Sequence, residues 1–217
     1  MKRDTRLVLA LDVTKTSQAI YTADEVSEYL DAIKVNYPLV LSCGMEIITQ
    51  LAERKDVICD FKVADIPNTN RLIVEQVFEH GASGVIVQGF VGEDSVRACV
   101  DAATGDVFVV TEMSHPGGQA YTAPIADQLA KLAVDAGASG IIAPATRPER
   151  VKALRGIVGD LIILSPGVGA QGGSPAATIE AGADYCIVGR SIYNSPDPGD
   201  SAKKIVEEIR SVRGVLG

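Results

Sequence analysis

The residues best suited to chemistry lie in Ile58-Cys59-Asp60-Phe61-Lys62-Val63-Ala64-Asp65-Ile66-Pro67-Asn68-Thr69-Asn70, where an apolar strand pattern runs into three charges. On a strand, Asp60 and Lys62 leave by the same face because side chains alternate. Asp65 lies just beyond, where Pro67 disfavours continued regular structure at Ile66 and Asn68 or Thr69 can cap a following helix. A lysine is thereby expected between two carboxylates. Such charges are costly to desolvate, so they gather where they pair with one another or act on a substrate. An exposed strand end with an ordinary surface salt bridge is the plainer alternative.

The elements that must position these charges follow from apolar periodicity. Leu7 to Leu11, Ala32 to Val35, Val57 to Phe61, Val107 to Val110 and Leu161 to Leu164 read as buried strands, Lys34 sitting in the middle of the second. Three further segments nearly repeat: His80 to Val87, Ala136 to Ala143 and Ala181 to Val188, each a helix end, a glycine cap and a buried strand. Helices are expected at Ala23 to Leu30, Met45 to Arg54, Asn68 to His80, Gly92 to Ala103, Ala123 to Asp135, Pro148 to Leu154, after Gly173 and over Ser201 to Val212, with Pro38 to Gly44 as a separator. Eight strand-helix units in 217 residues predict an α/β fold, a (β/α)8 TIM barrel forming one domain over residues 1–217. A doubly wound open sheet is the alternative the same alternation permits. In a barrel, Asp12, Lys34, Asp60, Lys62, Ser114, His115, Pro166 to Gly173, Gly189 and Arg190 gather at one mouth.

Composition narrows the function classes. The chain is 47% hydrophobic and 22% charged with no apolar run of membrane-spanning length, which predicts a soluble globular protein. The N-terminus lacks the pattern of a secretory signal, so the expected location is cytoplasmic. A net charge of −8 opposes binding to nucleic acid or acidic membrane, so an anionic ligand must meet a local positive site. Cys43, Cys59, Cys99 and Cys186 are scattered without metal-ligand spacing and read as reduced packing thiols. His80, before Gly81, reads as a helix-end cap.

Ser165 to Gly173 after the seventh strand and Gly189-Arg190-Ser191-Ile192 after the eighth form the usual phosphate corner of a barrel. Glycines let backbone N–H groups approach an anion, and Arg190 can bind two oxygens at once. Glu112 to Gly118 offers a hydroxyl, an imidazole and backbone groups for a ligand's polar edge. Ser114 lacks the setting of an activated nucleophile, and His115 before Pro116 can simply order its loop. No metal is expected: Asp60 and Asp65 could hold magnesium, but Lys62 between them already supplies positive charge. No cofactor motif is present to act as an electron sink.

DFKVADIPNTN, TEMSHPGG, LSPGVGAQGG and IVGRSIY, in this order after LALD, closely resemble the orotidine 5'-monophosphate decarboxylase family in its short microbial form. The resemblance runs from about Leu7 to Arg210. Asp-x-Lys-x-x-Asp alone is shared with relatives that decarboxylate keto-gulonate phosphate or make hexulose phosphate; Ile66-Pro67, TEMSHPG and GVGAQGG fit the orotidylate enzymes specifically. The resemblance implies a cofactor-free conversion of orotidine 5'-monophosphate to UMP. Lys62 is then the proton donor, Asp60 lies beside the substrate carboxylate, and Lys34 and Asp65 complete the charged row. Asp12, Lys34 and Thr69 touch the ribose, Ile66 lines the pyrimidine pocket and Ser114 reads the pyrimidine edge. Gln171, Gly189 and Arg190 grip the phosphate, and Pro166 to Gly173, including Val168, form a lid. Asp65, Ile66 and Thr69 enter the site from the partner of a homodimer. A magnesium-dependent sugar-phosphate lyase and a non-catalytic nucleotide-phosphate binder are the competing expectations.

Overall fold

The computed structural model describes residues 3–212. Its eight strands are β1 (Leu7–Leu11), β2 (Ala32–Asn36), β3 (Asp56–Val63), β4 (Gly84–Gln88), β5 (Asp106–Val110), β6 (Gly140–Ile142), β7 (Ile162–Pro166) and β8 (Tyr185–Val188). Between and after them run α1 (Thr16–Val26), α2 (Tyr37–Cys43), α3 (Glu46–Ala52), α4 (Pro67–Glu79), α5 (Glu93–Ala102), α6 (Pro116–Tyr121), α7 (Ala126–Asp135), α8 (Pro148–Val158), α9 (Pro175–Glu180), α10 (Arg190–Tyr193) and α11 (Pro198–Arg210). All strand pairs are parallel and in chain order. Pairing of β8 with β1 through Leu7↔Cys186, Val8↔Ile187 and Leu9↔Val188 closes the barrel, which removes the open-sheet alternative.

Strands buried on both faces build two apolar layers. Val8, Ile58, Ile86, Phe108, Leu164 and Tyr185 fill the barrel interior, whereas Leu7, Leu9, Leu11 and their counterparts pack outward under the helices. The near-repeats acquire a physical reason here. Phe108 takes the space where a Cβ on Gly84 would come within 3.0 Å of its ring and one on Gly140 within 2.9 Å. The third repeat has no such ring to accommodate and places Tyr185 there instead. Removing a ring so completely enclosed, as in Phe108→Ala, costs about 3–5 kcal/mol.

The residue before each even-numbered strand ties down the strand preceding it. N–H groups of Asp31, Ser83, Ser139 and Asp184 donate to the carbonyls of Leu7, Val57, Val107 and Ile163 at 2.9, 2.8, 3.0 and 2.9 Å. This ring of bonds forms the floor of the barrel.

Several helix boundaries differ from the periodic reading. α1 starts at Thr16 rather than Ala23, because its buried stripe is made of small residues, Ala19, Thr22, Ala23 and Val26, and a 3-10 turn at Ser27–Tyr29 follows it. The expected separator at Pro38 to Gly44 is α2: Pro38 is tolerated in its first turn, and Gly44 at φ 79° ends it. Gly117 and Gly118 concealed α6, and Pro124 turns the first residues of the expected Ala123 helix into a 3-10 turn before α7. α4 begins at Pro67 with Ile66 at its N-cap, so Asn68 and Thr69 lie inside the first turn. His80 does cap α4, its Nδ1 lying 2.7 Å from Gln76 O. Cys59, Cys99 and Cys186 are buried and all four cysteines are free.

Candidate active site

β1, β2 and β3 carry their charges on inward-facing positions one layer above the apolar interior. Lys34 Nζ lies 3.0 Å from Asp60 Oδ2 and 3.6 Å from Asp12 Oδ1, and Lys62 Nζ lies 2.8 Å from Asp60 Oδ1. The result is an alternating row, Asp12-Lys34-Asp60-Lys62. Asp60 and Lys34 are only 7% and 5% exposed, so neither charge is sustained by solvent. Burial pushes the Asp60 carboxyl up, but the charges of Lys34 and then Lys62, with their hydrogen bonds, outweigh it and hold the group below the usual carboxylate range. Asp60 is therefore an anion throughout the neutral range.

Lys62 reaches this row through irregular backbone. The β3–β4 register shifts between Cys59 and Val63, and Lys62 has φ 44°. Bulges of this kind re-aim a side chain beside functional sites, and a left-handed non-glycine residue stores about 1–2 kcal/mol. Periodicity predicted a strand ending at Phe61; the strand runs on to Val63 and the strained residue is the lysine itself. Cys59, next to Asp60, is no nucleophile: burial, then the charge of Asp60, push its thiol up to about 12 against the opposing effect of Lys34.

The row forms one wall of a cavity of about 220 Å³ at the barrel mouth. Asp12, Lys34, Asp60, Lys62, Ser114, Pro166, Val168, Gln171, Gly189 and Arg190 all line it, so ten expected site residues from separate segments do converge. The segment after β7 folds over this mouth as a small hydrogen-bonded loop, with Gly173 N–H donating to Gly167 O at 3.0 Å and Gly169 N–H to Gly173 O at 2.9 Å. Gly169 is required: its φ is 72°, and a Cβ there would lie 2.5 Å from Ser191 Oγ. Ser114 Oγ donates to Gln171 Oε1 at 3.0 Å and joins this loop to the segment after β5.

Asp65, Ile66 and Thr69 do not line the cavity. Among the described residues, the ion-pair partner of Lys62 is Asp60 alone. The lysine expected between two carboxylates thus pairs with Asp60 and not with Asp65 in this chain. Continuation of β3 carries Asp65 past the rim, where its carboxylate accepts from Ile66 N–H at 2.7 Å and Ile66 is 65% exposed. His115 is the N-cap residue of α6 and makes no side-chain capping bond.

The structure also adds residues that the sequence reading passed over. Glu112 is 0% exposed and is held by Arg147 Nε and Arg150 Nε, each at 2.9 Å. Arg147 Nη2 also donates to Met113 O at 2.6 Å, and Thr146 Oγ1 to Ser114 O at 3.2 Å, so the backbone presenting Ser114 is anchored from the β6–α8 segment. The available signal was a carboxylate directly after an apolar strand, which demands a buried cation, and Arg147 and Arg150 follow the next strand. Asn36 and Tyr193 likewise line the cavity.

Comparison with known proteins places this geometry. The model of the orotidine 5'-phosphate decarboxylase / HUMPS family matches residues 5–205. The chain belongs to that family. It is 59% identical over 213 residues to the orotidine 5'-phosphate decarboxylase of Methanococcoides burtonii, covering 96% of this chain and 99% of that protein. Identity to the orotidine 5'-phosphate decarboxylase of Methanosarcina acetivorans is 58%, covering 97% of each chain. Among solved structures, the orotidine 5'-monophosphate decarboxylase of Methanocaldococcus jannaschii, complexed with the inhibitor BMP, superposes with a TM-score of 0.90 at 48% identity, over 94% of this chain and 97% of that one. The decarboxylase family and its TIM barrel, both expected from the sequence, are thereby established for this chain.

Proposed function

We propose that the protein is a cytoplasmic, cofactor-free orotidine 5'-monophosphate decarboxylase that forms UMP. The observation that carries the reading is the alternating Asp12-Lys34-Asp60-Lys62 row, buried at Lys34 and Asp60, in a mouth that also gathers Arg190, Gly189 and Gln171. Names of relatives close to 60% identical point to the same substrate.

Breaking the C6–carboxylate bond releases CO2 and leaves its electron pair on C6, in the plane of the ring. Ring carbonyls cannot delocalise that pair, so stabilisation must be electrostatic. The Lys62 ammonium opposes the developing negative charge and then gives C6 a proton, recovering its own from solvent. Asp60, kept ionised by two ammonium groups, fixes Lys62 and disfavours the substrate carboxylate it faces. Unit charges ~4 Å apart interact by about 4 kcal/mol at an effective dielectric of 20, enough to matter in a closed site. Asp12 and Lys34 hold the ribose, Ser114 reads the pyrimidine edge, and Gln171, Gly189 and Arg190 hold the phosphate under the Pro166–Gly173 lid. Binding energy at the phosphate then favours the closed state in which the charges act. The working form is a homodimer in which Asp65, Ile66 and Thr69 complete the partner's site.

A spectroscopic assay of orotidylate loss, with UMP identified as product and run with and without EDTA, tests the reading. Equal turnover in both is expected. Activity abolished by EDTA would favour a magnesium-dependent lyase, and binding of UMP with no orotidylate turnover would favour a nucleotide-phosphate binder.

A further inference from the structure

We infer that Asn70 and Ser95 are positioning residues that set the backbone of Asp65. The inference rests on the reading that Asp65 acts on the substrate and extends it to a second helix. Asn70 of α4 is 0% exposed and Ser95 of α5 is 3% exposed. Asn70 Oδ1 accepts from Asp65 N–H at 2.9 Å, and Ser95 Oγ donates to Asp65 C=O at 2.7 Å. Asn70 Nδ2 in turn donates to Ser95 C=O at 3.3 Å. Both backbone groups of one exposed residue are therefore held by buried side chains, and those side chains' residues are joined to each other.

Asparagine inside a helix is unfavourable because its amide competes with the backbone, and a buried amide must find partners. Here the partners are Asp65 N–H and Ser95 C=O, so the arrangement adds nothing to α4's own ladder. Its effect falls on the segment between β3 and α4. Residues there have no strand partner, and fixing one such residue costs backbone entropy that a bond must offset. Two bonds from opposite sides, one from each helix, reduce Asp65 to a single backbone orientation while leaving its carboxylate exposed. Displacement of a catalytic group by about 1 Å can cost ~10²-fold in rate, so a backbone clamp of this kind is worth keeping in the core.

A kinetic cycle tests this with Ser95→Ala, Ser95→Thr, Asn70→Ala and Asp65→Ala, thermal midpoints being recorded for each variant. Ser95→Ala is expected to lower kcat roughly 10-fold and Asn70→Ala roughly 100-fold, with KM within about threefold of wild type, and Ser95→Thr, which keeps the hydroxyl, should restore turnover. In the Asp65→Ala background the residual turnover should change by less than about twofold on adding either substitution, because residues acting through Asp65 have nothing left to position. Should Asn70→Ala fail to fold, the two Ser95 variants complete the cycle. Equal losses in both backgrounds, or wild-type kcat for Ser95→Ala, would overturn the inference. Wild-type turnover in Asp65→Ala itself would instead overturn the role of Asp65, and the cycle reads the same whichever subunit Asp65 serves.

Discussion

The two ends of the barrel each build a carboxylate flanked by two cations, and they finish it differently. At the floor, Asp184 meets Arg3 at 3.1 Å and Arg155, and also accepts from Ile163 N–H at 2.8 Å. Arg155 spends its remaining donors on the carbonyls of Gly182, Gly159 and Leu161. Nearby, Asp31 accepts from the N–H groups of Asp4, Thr5 and Arg6. At the mouth, Asp60 holds two ammonium groups, yet Lys62, with three donors, has Asp60 as its one protein ion-pair partner among the described residues and sits on strained backbone. The Arg155 guanidinium, its fork taken up by carbonyls and Asp184, makes a fixed floor; compact ammonium groups with donors to spare make a site. Charge alone does not separate structure from catalysis, whereas the completeness of its hydrogen bonding does.

That contrast can be broken most sharply at Lys62. Lys62→Ala should reduce decarboxylation by on the order of 10⁴-fold or more while UMP binding stays measurable, since the variant removes the proposed proton donor together with its charge. Steady-state kinetics beside UMP titration would show it, and near-normal turnover would refute the assignment. Arg190→Ala is expected next, with kcat/KM for the nucleotide falling ~10²–10³-fold on loss of a bidentate charge-assisted contact. Normal processing would mean that the phosphate corner is misplaced. At the floor the signs reverse. Asp31→Ala should leave kcat unchanged and cost about 3 kcal/mol, roughly 6–12 °C in Tm, because three backbone donors lose their acceptor. Smallest is the backbone effect: Lys62→Gly should be more stable than Lys62→Ala by about 1 kcal/mol in urea unfolding, glycine relieving the left-handed conformation, with both inactive.

Much of the mouth was legible because each strand announced itself as an apolar run and the functional groups stood as polar outliers within a run or shortly after one. Asp12, Lys34, Asp60, Ser114 and Arg190 needed only the barrel assumption to converge. Helix starts were less legible where the buried stripe used small residues, as at Ala19 and Ala23, or where prolines and glycines at Pro38 and Gly117 read as turns yet sat in first turns. The bulge at Lys62 left no trace, because a register shift depends on how β3 meets β4 and not on either strand's pattern. Glu112 and its arginines lay in plain sight, but pairing across 35 and 38 residues is a property of the closed barrel. Roles assigned to Asp65, Ile66 and Thr69 came from family resemblance, and the single chain places them outside its own cavity.

The most direct test of a catalytic row completed by a second chain is subunit complementation. Lys62→Ala and Asp65→Ala chains, each nearly inactive alone, are unfolded, mixed in equal amounts and refolded, and orotidylate turnover is measured once heterodimer formation is proven. Half the dimers should be mixed, each with one site carrying both defects and one carrying neither, so activity should return to roughly a quarter of wild type by two-fold statistics. A mixture that stays inactive with heterodimers present would contradict the account, since a site built within one chain gains nothing from a partner.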